Sequence, residues 1–167
     1  MSLRHHLILE KFCAAAIALP LLGWEGALAS QCGTGTHPMT LSATAIEFGI
    51  YNGASGSPAY ANGTVTADCD RSGDYLPSFT AALSSGTVAG FSPRHLSFGT
   101  YRMTYNIYVS SAYSTIWGDG TGGTATRSYS VGSGLNVTSF TTYGQIPALQ
   151  SATPGTYGDT ITVMITY

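Results

Sequence analysis

The chain has 167 residues, enough for one ordinary domain and too few for two. Only 8% of its residues are charged and the formal net charge is −2 with no basic run, which excludes a nucleic-acid partner held through phosphate contacts. Gly, Ser and Thr abound beside 11 Tyr, a composition suited to strands and turns with little surface charge, as in extracellular β-proteins.

In chain order, the first segment has the form of a secretory signal. Arg4 and Lys11, with His5 and His6 between them, give a basic start. Residues 12–22 are apolar, and Ala27-Leu28-Ala29 fits the small-x-small cleavage pattern. The apolar run falls short of the roughly 20 residues that cross a bilayer, which argues against a stable membrane anchor. Gln31 stands directly before Cys32 where a lipoprotein signal wants a small residue. Residues 1–29 are therefore expected to be a cleavable signal, with Ala27 and Ala29 at the cleavage site, and residues 30–167 a single exported domain. Cleavage removes Cys13 and leaves Cys32 and Cys69. An even pair in an exported chain implies a disulfide. Closing a loop of roughly 37 residues is worth on the order of 4 kcal/mol in chain-entropy terms. Metal binding by this pair would need His or Cys companions at short spacing, and the sequence offers none.

After residue 30 no window repeats apolar residues at helical spacing with capping signals. Strands are expected instead at 40–51, 63–69, 75–83, 102–109, 125–131, 135–141 and 159–167, with turns at Asn52-Gly53, Asn62-Gly63 and residues 70–73. Seven short strands with regular turns argue an all-β antiparallel sandwich. Residues 86–98 and 117–123 are expected to be loops. The glycines of the second suit a turn that seats Trp117; a phosphate cradle would want a following helix N-terminus and a Lys. In the last strand Ile161, Val163, Ile165 and Tyr167 share one face, opposite Thr160, Thr162, Met164 and Thr166. Nothing follows to flank this strand, so an open apolar edge is expected, an aggregation hazard unless a partner covers it.

Candidate chemistry is thin. The residues after the signal hold His37 and His95 and the carboxylates Glu47, Asp68, Asp70, Asp74, Asp119 and Asp159. No Ser sits in a nucleophile-elbow context, so no catalytic residue is assigned and the chain is read as a non-enzyme. Asp68, Asp70 and Asp74 suit solvated turn residues better than a calcium site. No metal or cofactor is assigned, and the two histidines are read as isolated loop residues. The sequons at Asn62 and Asn136 are treated as incidental.

Several segments, in order, resemble the spore coat protein U domain, the subunit domain of archaic, Csu-type chaperone–usher pili. They are Phe48-Gly49-x-Tyr51, Val65-x-x-x-Cys69, Tyr105-Asn106-Ile107-Tyr108, Trp117-Gly118-Asp119-Gly120-Thr121, Tyr143-Gly144-x-Ile146-Pro147-x-x-Gln150 and Gly155-x-Tyr157-x-Asp159-Thr160-Ile161-Thr162-Val163 with a closing Tyr167. The resemblance implies an immunoglobulin-like sandwich lacking its last strand. It also implies partners: a periplasmic chaperone that donates a strand, an outer-membrane usher, and neighbouring pilus subunits whose N-terminal segments replace the chaperone. Ile161, Val163, Ile165 and Tyr167 would line the strand-accepting groove. Export to the periplasm and then to a surface fibre of a Gram-negative bacterium follows. The family's first cysteine pairs with one closing a following strand, as Cys32 and Cys69 would.

The front of the chain departs from this pattern. Between Ala29 and Cys32 only Ser30 and Gln31 remain, too few for a donor strand. Either processing occurs elsewhere or the subunit accepts a strand and donates none, which would place it at a fibre tip. The competing expectation is a stand-alone secreted module, with a complete sandwich, that binds carbohydrate or another surface. Tyr-rich stretches such as 51–60 would serve as contact surface in either case.

Overall fold

The computed structural model describes residues 4–9, 31–32, 38–69, 74–131 and 135–167. Its strands are β1 (Arg4–Leu9), β2 (Met39–Ala43), β3 (Ala59–Cys69), β4 (Phe79–Leu83), β5 (Arg94–Phe98), β6 (Tyr101–Tyr108), β7 (Arg127–Tyr129), β8 (Val137–Ile146) and β9 (Gly158–Thr166). The described residues contain no α-helix, as the missing 3.6-residue periodicity requires. Apart from β1, every registered strand pair is antiparallel.

Two sheets face each other and share β6. Its first half pairs with β5, and Asn106, Ile107 and Tyr108 pair with β8. One sheet continues through β8, β3 and β2; in the other, β5 and β4 both pair with β9, and β4 pairs in turn with β7. Inward residues meet between them. Phe79 of β4 stands edge-on to Phe140 of β8 at 6.0 Å, and Trp117 meets the same ring at 6.0 Å. Trp117 is fully buried and donates its indole N–H to the Ala81 carbonyl at 3.0 Å. The glycine-rich segment after it is the expected turn, with Gly120, Gly122 and Gly123 at positive φ.

Cys32 and Cys69 form the disulfide, 37 residues apart in sequence. The bridge ties the end of β3 to the segment before β2, and the Cys32 N–H donates to the Tyr75 carbonyl at 3.0 Å.

Three local expectations fail for physical reasons. The strand expected at 40–51 stops at Ala43, after which the chain crosses the inner face and buries Ile46 and Phe48. That crossing explains Asn62-Gly63, which sits inside β3 and not at a turn. A Cβ on Gly63 would lie 2.7 Å from the Thr44 carbonyl oxygen, so the position needs glycine for close approach. The third failure is β5, expected to be loop. Its inward Arg94 conceals the alternation that Leu96 continues.

Candidate functional site on the terminal strand

Strand β9 realises its alternation. Ile161, Val163 and Ile165 are buried at 2%, 0% and 6% exposure, whereas Met164 is exposed on the opposite face. Burying each such side chain is worth about 1.5–3 kcal/mol. Tyr167 lies one residue beyond the strand and is 39% exposed. The row of four expected from the alternation is therefore three core residues and one at the rim.

Both edges of β9 are paired, by different parts of the chain. Gly158 is matched by Ser97 of β5 and also by Arg4 of β1, and Val163 by Leu83 of β4 and also by Leu9 of β1. Hence β4 and β5 share one edge, and β1 runs parallel along the other from Gly158 to Val163. The expectation of an open edge needs restating: in the full chain this edge is covered, and the covering strand belongs to residues 1–29. The cleavage residues Ala27 and Ala29 lie outside the described residues.

Hydrogen bonds fix which backbone groups face which edge. The Thr162 N–H donates to Ser84 Oγ and its carbonyl accepts from the Ser84 N–H, both at 2.9 Å. Both Thr162 groups thus point to the β4–β5 side. Alternation along a strand turns the N–H and C=O of Ile161 and Val163 to the β1 side. The residues whose side chains fill the core are those whose backbone an incoming strand would bond. Ile165 pairs with Ala81 of β4 and lies beyond the last registered pair of β1.

The β4–β5 flank is held by a buried polar network that no sequence pattern announces. Asp159 accepts from the Tyr105 hydroxyl at 2.6 Å and from the backbone N–H groups of Thr87 and Thr160 at 2.7 and 2.8 Å. Burial, then the Asp159 carboxylate, push the Tyr105 phenol far above its usual range. Arg94, fully buried, donates to the carbonyls of Ser84 and Trp117 and to Asn106 Oδ1 at 2.7–3.1 Å. Desolvation lowers its pKa. Gly86, at φ +95°, completes the seam: a Cβ there would fall 2.1 Å from Asp159 Oδ2. An internal Arg in a strand carries no sequence signal separating it from a surface one.

A second feature lies on the outer face of the β3–β8–β6 sheet. Tyr60 pairs in register with Gln145, and Tyr143 with Tyr108. Tyr113, on the turn after β6, sits among them with ring centroids 4.6 Å from Tyr60, 5.5 Å from Tyr108 and 6.4 Å from Tyr143. Its φ of +52° places a side-chain-bearing residue in the left-handed region, at a cost of about 1–2 kcal/mol. Burial, then the neighbouring phenols, raise the pKa of Tyr108 and Tyr113. Of the 51–60 stretch expected to offer contact surface, Tyr60 is 51% exposed but Tyr51 is buried. The Tyr51 hydroxyl donates to the Pro147 carbonyl at 2.8 Å and accepts from the Gln150 N–H at 2.9 Å.

The remaining candidates are not brought together. Asp119 Oδ1 accepts from the N–H and hydroxyl of Thr121 within an exposed turn, and the hydroxyl bond, then the N–H, lower its pKa. Among the described residues no group of three or more His, Cys, Asp or Glu could hold a metal ion. Asp70 and His37 lie outside them, and His95, expected in a loop, stands half-buried in β5.

The Spore Coat Protein U domain model matches residues 21–164 of this chain. Among solved structures, the chain is similar to a crystal structure of the CsuC–CsuE chaperone–tip adhesion subunit pre-assembly complex from archaic chaperone-usher Csu pili of Acinetobacter baumannii. Identity is 17% and the TM-score 0.48, over 77% of this chain and 40% of that one. No curated protein matches.

Proposed function

This chain belongs to the Spore Coat Protein U domain family, and on that footing we propose that it is a structural and adhesive subunit of an extracellular chaperone–usher fibre or surface coat. Its sandwich is completed by a strand from another protein. Residues 30–167 are the exported domain, and removal of residues 1–29 takes β1 away and leaves the Gly158–Val163 edge to be filled. The periplasmic chaperone fills it first and a neighbouring subunit afterwards, with an outer-membrane usher between the two. Ile161, Val163 and Ile165, with Tyr167 at the rim, line the groove that receives the donated side chains. Backbone bonds supply affinity and alternate side chains supply specificity.

The observation that carries the reading is the two-sided pairing of β9, with one flank made by β4 and β5 and the other, among the described residues, by Arg4–Leu9 alone. The test is periplasmic expression of residues 30–167 with and without a chaperone of this class. A one-to-one complex with the chaperone is expected, and without it a domain of low yield that folds in dilute solution but aggregates on concentration and is readily cleaved. A stable lone monomer of full yield would contradict it and favour a stand-alone surface-binding module. We further place the subunit at the fibre tip, because Ser30 and Gln31 alone separate Ala29 from Cys32. Immunogold labelling is expected at fibre ends; labelling along the shaft overturns the tip position and leaves the subunit role standing.

A further inference from the structure

The four-tyrosine cluster serves no purpose in completing the sandwich. Tyr60, Tyr108, Tyr113 and Tyr143 lie on the outer face of the β3–β8–β6 sheet, away from the edge of β9. Tyr113 reaches the others from a turn closed by its own N–H on the Ser110 carbonyl at 3.2 Å. Strain of this kind persists where surrounding contacts over-determine it, and three tyrosine rings surround Tyr113.

We propose that Tyr60 and Tyr113 form a site of oxidative tyrosine–tyrosine cross-linking. The centroid separation of 4.6 Å and interplanar angle of 44° bring the two rings side by side. Against Tyr108 and Tyr143, Tyr113 is T-shaped at 79° and 86° and further away. Tyr60 is half exposed, so an oxidant reaches it from solvent, and Gln145 Nε2 donates to its hydroxyl at 3.2 Å, restraining the ring. By contrast Tyr105 and Tyr157 are buried, and exposed Tyr101 stacks on Phe98.

The chemistry balances with hydrogen peroxide as oxidant, activated by a haem peroxidase. Each phenol gives up one electron and its hydroxyl proton, and the spin spreads to the carbons ortho to oxygen. A carbon–carbon bond forms between one ortho carbon of each ring. The hydrogen on each bonded carbon then moves to the phenolic oxygen as the rings regain aromaticity. The protein loses two hydrogens in all, and the two electrons and two protons reduce peroxide to two waters. The product ties the turn after β6 covalently to β3.

The test treats the folded full-length protein with peroxide and a haem peroxidase and follows dityrosine fluorescence, intact mass and peptide mapping. The expected result is a monomer lighter by two hydrogens, with the bond mapped between Tyr60 and Tyr113. Tyr113→Phe and Tyr60→Phe should each lose that signal and Tyr101→Phe should retain it; these phenylalanine variants keep the ring packing. Absence of dityrosine, coupling only between molecules, or yield unchanged by Tyr113→Phe would overturn the proposal.

Discussion

The two flanks of β9 differ in how the chain secures them. The β4–β5 flank is tied by a set of specific groups: Asp159 gathers Tyr105, Thr87 and Thr160, Ser84 bonds both backbone groups of Thr162, and Gly86 leaves room for the Asp159 carboxylate. The other flank is a parallel backbone pairing with Arg4–Leu9. A flank built from buried, satisfied polar groups specifies one partner, whereas a flank made of ladder hydrogen bonds accepts any strand of suitable pattern. On the function proposed above, the domain is committed on one side and exchangeable on the other.

Five substitutions would break or sharpen that contrast. Val163→Asp should have the largest effect, because a carboxylate would enter a fully buried position shared by both flanks. A loss above about 4 kcal/mol is expected, with no folded domain by circular dichroism and no assembly. A folded mutant that forms fibres would remove Val163 from the groove. Cys69→Ser comes next, at about 4 kcal/mol from the closed loop. Cys69 lies at the end of β3, which pairs with β2 and β8 and not with β9, so urea unfolding should show lower stability with unchanged chaperone binding per folded molecule.

Gly86→Ala addresses the committed flank alone. A side chain at φ +95° that also displaces Asp159 should cost about 1–3 kcal/mol, seen as a lower Tm. An unchanged Tm would mean that the Asp159 seam is dispensable. Tyr105 gives the same flank a pH signature. Its phenol is raised in the folded state, so stability is intact below the unfolded tyrosine value of about 10 and falls as pH rises above it. Tyr105→Phe should reduce that alkaline loss, leaving the smaller part due to Tyr108 and Tyr113, and an identical pH profile would contradict the assignment. Met164→Thr, on the exposed face, should move stability by less than about 0.5 kcal/mol.

How much of this was legible in the sequence follows from what each feature rests on. The all-β class, the disulfide and the seat of Trp117 rest on local pattern and composition, and the structure contains them. The inward row of β9 was equally plain, because Ile161, Val163 and Ile165 alternate with threonines and Met164. Strand β5 was hidden because Arg94 supplies a charge where periodicity expects an apolar residue, and its burial depends on carbonyls distant in sequence. Asn62-Gly63 misled because a glycine chosen for close approach of Thr44 has the same signature as one chosen for a hairpin. The tyrosine cluster was illegible for the same reason as Arg94, since register between β3, β8 and β6 brings its members together.

The exchangeable flank can be tested most directly by amide hydrogen exchange along β9 in the polypeptide of residues 30–167, read residue by residue. With β1 removed, the Ile161 and Val163 amides should exchange rapidly while that of Thr162, bonded to Ser84, stays protected, and an added donor strand should slow the first two. Equal protection of all three amides in the isolated domain would show that its own chain closes both edges, and the exchangeable flank would not exist.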